Sequence, residues 1–276
     1  MEQSRKSGPR PAGRGRRESV YAANERYERE NTEREDLLEG KNAVWEALCA
    51  GRQLDKIFFA AGSASSVGRV IDRARRQGVP VQECDRRKLD RMSATGAHQG
   101  IVAVAAAAQY AGLEDILALA EKRGERPLVV LCDGITDPHN LGAIIRSAEV
   151  AGAHGVVVPR RRSAGLNAAC AKAAAGALEH LPVARVSNLA AAIAELKEKG
   201  LFLFAADMAG ESMYRADLTV PAGIVIGSEG EGISRLVRQE CDAVVSIPQR
   251  GRISSLNASN AAAVLLFEAV RQRGAE

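Results

Sequence analysis

Apolar and polar positions follow two rhythms along this chain, and where neither holds, the chain is expected to be unstructured. Residues 1–35 have no period: Gly8, Pro9, Pro11, Gly13 and Gly15 interrupt it, and a Glu/Arg mixture follows from Glu25 to Glu35. A segment so poor in apolar side chains cannot offset the entropy of ordering, so a disordered tail is expected. Residues 36–108 read as a small α/β unit. Asn42 is placed to cap a helix through Trp45 and Leu48 that Gly51 ends. Strands are predicted at Leu54–Ala60, Val79–Cys84 and Ile101–Ala107. An amphipathic helix over Ser66–Gln77 stops at Gly78, and Asp85 caps another short helix. Residues 109–126 form a connector with a short helix around Leu113–Lys122. From 127 to 276 the alternation is more regular. Strands are predicted at Leu128–Cys132, Gly155–Val158, Val183–Val186, Leu201–Ala206, Ile224–Gly227 and Val244–Ile247, with helices between them and a long final helix from Asn257 to Arg271. Leu128–Leu131 and Ile224–Ile226 are continuous apolar runs, the pattern of strands buried on both faces. The fold class is therefore α/β, with a parallel sheet covered by helices on both sides.

Composition narrows the possibilities. At 276 residues the chain is long enough for about two domains. No stretch reaches the roughly 18 apolar residues of a membrane helix, and the first thirty residues lack the apolar core of a signal peptide, so a cytoplasmic protein is expected. Cys49, Cys84, Cys132, Cys170 and Cys241 are odd in number and never in a CxxC, which reads as reduced thiols. His98, His139, His154 and His180 show no ligand spacing with them, so no metal site is expected. The net charge of +4 is uneven: Arg5, Lys6, Arg10, Arg14, Arg16 and Arg17 face Glu2 alone in the first 17 residues. The remainder is close to neutral. A basic tail can grip phosphates without reading sequence, whereas polyanion binding by the body would have to come from local patches.

In open parallel sheets ligands bind beyond the carboxyl ends of the strands, and three segments there are polar and glycine-rich. After Leu128–Cys132 come Asp133-Gly-Ile-Thr-Asp-Pro-His-Asn140 and then Leu-Gly-Ala-Ile-Ile-Arg146. Asn140 is either a helix cap or a functional amide; Arg146 is either a surface arginine or, in a mostly apolar helix, a charge that wants an anion such as phosphate. After Ile224–Ile226 comes Gly227-Ser-Glu229-Gly230-Glu-Gly232. Its order is neither a dinucleotide fingerprint nor a P-loop. Glu229 can cap the next helix or act as a site carboxylate. After Val244–Ile247 comes Pro248-Gln-Arg-Gly-Arg-Ile-Ser-Ser255-Leu-Asn257-Ala-Ser-Asn260, where Ser255 or Asn257 can cap the last helix. Together the three loops read as one convergent pocket.

DPHNLGAIIRSAE, GSEGEGI and IPQRGRISSLNASNAAAVLLFEA, in this order and spacing, resemble the three signature motifs of the SpoU/TrmH family of SPOUT methyltransferases. PRRRSAGLNAACAKAAAGALEHLPVARVSNLA resembles the intervening segment, and EGKNAVWEAL with GAHQGIVA resembles the family's small L30e-like substrate-binding domain. The resemblance covers residues 36–272 and is nearest to the branch that 2′-O-methylates a guanosine in 23S ribosomal RNA. It implies an L30e-like RNA-binding domain over 36–108, a SPOUT methyltransferase domain over 127–276 with a trefoil knot, S-adenosylmethionine as cofactor, and a homodimer whose sites draw on both subunits. By position it implies Asn140, Arg146, Glu229, Ser255 and Asn257 as catalytic, and backbone contacts to the cofactor at Gly227, Ile247 and Leu256. Asn260 and Gln249-Arg250 depart from the family pattern.

The implied reaction, attack of a ribose 2′-hydroxyl on the sulfonium methyl group, needs in-line positioning and removal of a proton. The resemblance implies Arg146 as base, which conflicts with an arginine pKa above about 12. A substrate phosphate relaying the proton, with Arg146 orienting it, is the preferred reading. RNA contacts are expected at Lys41, Asn42, His98 and Gln99 in the small unit, and at Arg160 and Arg161, which follow a strand at the same sheet edge. The alternatives are the same chemistry on transfer RNA or another ribosomal loop, or a non-catalytic RNA-binding ribosome-assembly factor.

Overall fold

The computed structural model describes residues 37–93, 95–252 and 255–274; the expected basic tail lies outside the described residues. The first unit contains β1 (Leu37–Glu39), α1 (Lys41–Cys49), β2 (Leu54–Ala60), α2 (Ala64–Arg76), β3 (Val81–Cys84), α3 (Arg86–Met92) and β4 (Ile101–Ala105). Its sheet runs β1-β4-β2-β3, with β2 parallel to β3 and the other pairs antiparallel. Sequence reading missed β1, which is too short to show a period. It also misplaced the start of α1: Gly40, at φ 86°, occupies the cap position and Asn42 lies inside the helix. Only glycine takes that backbone conformation without steric cost. Asp85 does cap α3, its carboxylate accepting from the Arg87 N–H at 2.8 Å.

The second unit begins with α4 (Leu113–Arg123) and continues β5 (Leu128–Asp133), α5 (Pro138–Val150), β6 (Gly155–Pro159), α6 (Ala168–Ala174), β7 (Val183–Val186), α7 (Leu189–Glu198), β8 (Phe202–Ser212), β9 (Ala222–Gly227), α8 (Arg235–Glu240), β10 (Ala243–Ser246) and α9 (Ala258–Arg273). Its six strands are all parallel, in the order β10-β8-β9-β5-β6-β7. Strand alternation assigns the core. Leu128, Val130 and Cys132 of β5 pack on the face covered by α5, α6 and α9, while Val129 and Leu131 pack on the face covered by α4, α7 and α8. The helix expected within a connector is thus part of this core: Leu113 and Ile116 of α4 sit against Val129, Leu131 and Val157.

Two features shape the carboxyl edge of the sheet. The central pair β5 and β9 is where the chain order reverses, so the loops after these strands diverge and leave a crevice. Beside it, β8 runs past the expected end at Ala206 and bulges: Val244 of β10 faces Ala205, but the next residue, Val245, faces Glu211. The intervening residues swing out at the lip of that crevice.

Burial sets the state of the thiols. It pushes Cys132 and Cys170 up to about 12, whereas Cys49 is exposed. At pH 8 the two buried thiols therefore stay protonated and inert. Iodoacetamide is expected to modify Cys49 in the native protein and to reach Cys132 and Cys170 only after unfolding, as read by peptide mass; native modification of Cys132 would contradict the packing around β5.

Candidate active site

Three side chains from three strand-end segments meet at the crevice. Asn140 lies on the first turn of α5, but the cap is Asp137, whose carboxylate accepts from the His139 N–H at 2.9 Å. The Asn140 amide is therefore released from capping, and its Nδ2 donates to Glu229 Oε1 at 2.9 Å. Asn257 does two things. Its Oδ1 caps α9 by accepting from the Ser259 N–H at 2.9 Å, and its Nδ2 donates to Asn140 Oδ1 at 2.9 Å and to Glu229 Oε1 at 2.6 Å. The helix cap thereby orients the amide for the site, since rotating it would forfeit both sets of bonds. Glu229 has one oxygen held by both amides and its other oxygen on an exposed face.

The Gly-rich loop that carries Glu229 closes on itself. Ser228 N–H donates to Gly232 O at 3.1 Å and Gly232 N–H to Ser228 O at 3.0 Å. The Asp133 carboxylate, at the end of β5, accepts from the Ser234 N–H at 2.7 Å and ties the loop to the neighbouring strand. Inside this closure Gly227 has no room for a side chain: a Cβ there would lie 2.3 Å from the Gly232 carbonyl carbon.

Next to the triad opens a cavity of about 320 Å³. Ile226, Gly227, Ile247, Leu256, Ala258 and Ala261 line it, with Glu229 and Ser255 as polar groups. The volume lies at the lower end of the range for small-molecule sites, about 300–1,000 Å³. Small residues of α9 give it depth, apolar side chains suit a purine face, and backbone from 227–232 lies within reach of ligand polar groups. All three residues expected to contact a cofactor line this one cavity. The set fits S-adenosylmethionine, with Gly227 permitting the loop closure beside the cavity that a side chain would block.

The structure separates the other expected residues. Arg146 is exposed on α5 and its side chain makes no hydrogen bond or ion pair with any described residue. It is six residues from Asn140, about 9 Å along the helix and about 120° around it, so it points away from its own triad. Lys41, Asn42 and Gln99 are exposed and converge where α1 begins, Gln99 lying next to Gly40. His98 does not join them. It is 1% exposed, its Nε2 is 2.9 Å from Asp90 Oδ1, and its Nδ1 accepts from the Gly100 N–H at 3.1 Å. Both ring nitrogens are used inside the small unit, so the expectation that His98 touches RNA is withdrawn. Arg160 and Arg161 lie at the carboxyl edge of β6, beside the small unit.

Sequence reading missed Asp207 and Met208, which line the cavity from the β8 bulge and are pinned by an Arg238–Asp207 ion pair of 2.8 Å. The available signal was Gly210, where a Cβ would lie 2.6 Å from the Val244 backbone. Among the described residues no group of three or more His, Cys, Asp or Glu side chains is arranged to hold a metal, and no helix is long and apolar enough to cross a membrane.

Comparison with known proteins agrees with this geometry. Residues 127–267 match the model of the SpoU rRNA methylase family, and residues 37–111 match the RNA 2′-O ribose methyltransferase substrate-binding model. The Bacillus subtilis protein YacO, named for the TrmH family of tRNA/rRNA methyltransferases, is 44% identical over 88% of this chain and 98% of its own. Among solved structures, the SpoU methyltransferase AviRb from Streptomyces viridochromogenes in complex with AdoMet superposes with a TM-score of 0.56 at 29% identity, covering 87% of this chain and 91% of that one. An AdoMet-bound rRNA methyltransferase from Sinorhizobium meliloti gives 0.53 at 26%, covering 86% and 87%.

Proposed function

This chain belongs to the SpoU rRNA methylase family, and from that premise we propose that it transfers the methyl group of S-adenosylmethionine to a ribose 2′-hydroxyl, that of a guanosine in 23S ribosomal RNA. That it is an S-adenosylmethionine-dependent RNA methyltransferase follows from the family; the ribose position and the RNA are the reading proposed here. One observation carries it: Asn140, Glu229 and Asn257 are joined at the lip of the cavity that Gly227, Ile247 and Leu256 line. The small unit's match to a 2′-O ribose methyltransferase substrate-binding model supports the ribose as acceptor. We take residues 36–108 as this RNA-binding domain, 109–126 as the connector and 127–276 as the catalytic domain, whose chain is knotted around the cofactor loops. An RNA substrate and unpaired thiols fit a cytoplasmic setting.

The cofactor supplies a methyl group already activated on a sulfonium. What the protein adds is placement. Asn140 and Asn257 hold Glu229 beside the cavity mouth, where its free oxygen can accept a hydrogen bond from the incoming nucleotide. Arg146 serves the other half of the reaction by binding the phosphate next to the reacting ribose through its guanidinium fork. That phosphate takes the hydroxyl proton, since a guanidinium group has no lone pair to accept one. Since Arg146 faces away from the triad on its own helix, a second copy of the chain supplies it. The exposed Val150, Val264 and Phe267, on the helices α5 and α9 that pack together, are the apolar side chains such a homodimer would cover.

The test is methyl transfer from tritiated S-adenosylmethionine to unmodified 23S ribosomal RNA and, separately, to bulk unmodified transfer RNA. Label is expected on the 23S RNA. Label on transfer RNA alone would overturn the substrate while keeping the chemistry, and cofactor binding with no label on either would favour a non-catalytic RNA-binding factor.

A further inference from the structure

A second cavity, of about 910 Å³, is distinct from the cofactor site and forms a groove between the two units. One wall is Lys56 and Phe58 of β2 together with Arg75 and the turn at Gly78; the other is the Arg160–Arg162 run after β6 and Arg185 of β7. The junction is held in register. The Arg185 guanidinium donates to Asp55 O at 2.7 Å and pairs with the Asp55 carboxylate at 3.3 Å, and the Tyr110 hydroxyl donates to the same carboxylate. Across the groove, Arg160 Nη1 donates to Gly78 O at 2.8 Å.

That pairing consumes the groove's one carboxylate and leaves its cations uncompensated. Lys56, Arg75, Arg160, Arg161 and Arg162 have no acidic partner among the described residues. Arg160 also buries an Nε–H that has no hydrogen-bond partner. Lys56 is half-buried, stacked over the Phe58 ring at 5.0 Å, and both burial and the nearby Lys88 charge lower its pKa. Arg162 holds a left-handed backbone at φ 55°, which bends the loop that carries the three successive arginines. Collecting like charges in this way costs free energy that only a polyanion recovers. The groove offers little for base stacking, since Phe58 is itself buried beneath its lysines.

The geometry points to an RNA-backbone site: the groove receives the phosphates of the substrate strand flanking the target nucleotide. The inference rests on the reading of the chain as an RNA methyltransferase and extends it to how the strand crosses both units. The loops that line the groove follow β6 and β7, which lie next to β5 on the same edge as Asn140. At about 4.8 Å per strand spacing, groove and triad are roughly 10 Å apart. The groove therefore grips phosphates within a few nucleotides of the methylated one. No base-specific contact is involved, so the groove contributes affinity and register, and sequence choice belongs elsewhere.

The test uses the full chain with the double substitution Arg161→Gln/Arg162→Gln and, separately, Lys56→Gln. Binding of a fluorescein-labelled 30-nucleotide single-stranded RNA is measured by anisotropy at several salt concentrations, and S-adenosylmethionine binding by calorimetry. The double variant is expected to bind RNA about tenfold more weakly at 0.1 M salt, with the slope of log affinity against log salt reduced by about 1.4, two phosphates' worth on a single strand. Lys56→Gln should reduce the slope by about half of that. Cofactor affinity should match the unsubstituted protein, which reports that the fold is intact. Unchanged RNA affinity and slope in both variants would overturn the groove. Failure of the unsubstituted protein itself to bind RNA would overturn the methyltransferase reading on which the groove rests.

Discussion

Replacing Arg146 by alanine is expected to lower the methyl-transfer rate by about 10²- to 10³-fold, the cost of removing one preorganised charge-stabilising donor, while leaving stability within about 0.5 kcal/mol. The asymmetry follows from its position. The side chain is exposed and has no partner among the described residues, so the folded protomer loses nothing when it is removed. Arg146→Lys should recover little of the rate, because an ammonium keeps the charge but not the two-pronged match to phosphate. Full activity in the lysine variant would contradict a requirement for guanidinium geometry. The same residue tests the two-subunit site. Arg146→Ala and Asn140→Ala dimers should each be inactive. Mixed by denaturation and refolding at equal amounts, half of the dimers are heterodimers with one intact site, so about a quarter of the original activity returns. No recovery on mixing would place the whole site within one chain.

Gly227→Ala is expected to weaken S-adenosylmethionine binding about tenfold to a hundredfold. The methyl group would be forced to 2.3 Å from the Gly232 carbonyl carbon, a contact with backbone that no rotamer change relieves. Either the closed loop opens or β9 shifts; overpacking of this kind costs about 1–3 kcal/mol, and each 1.4 kcal/mol is a factor of ten in affinity. Because the loop carries Glu229, its bonds to Asn140 and Asn257 loosen at the same time. Calorimetric titration with the cofactor checks the first effect. Affinity unchanged from the parent protein would mean that the loop is not the cofactor's cradle.

The second unit was legible in the sequence because its strands are buried on both faces and so read as unbroken apolar runs; β5 and β9 stand within a residue or two of where those runs place them. The loops after them were legible for the same reason, since polar glycine-rich segments contrast sharply with such strands. The misses have local causes. Asn42 looks like a helix cap in sequence, but Gly40 adopts the positive φ that ends the preceding strand two residues earlier. Asn140 also looks like a cap until Asp137 takes that role and frees it. The β8 bulge is invisible to a period-two reading because the extra residues are unpaired. His98 sits in a polar stretch that suggests a surface loop, yet a bond to Asp90 folds it inward. The groove between the units could not be read at all, because its walls come from distant parts of the chain, Gly78 and Arg160 being 82 positions apart, and its net charge depends on Arg185 neutralising Asp55.

The most direct measurement of the central claim is the position of the transferred methyl group. After reaction with 23S ribosomal RNA, nuclease digestion and mass spectrometry of the labelled nucleoside should find 2′-O-methylguanosine at a single site, absent when Arg146→Ala protein is used. A methyl group on a base would contradict the account, because the roles proposed for Asn140, Glu229, Asn257 and Arg146 are those of a site for a ribose hydroxyl.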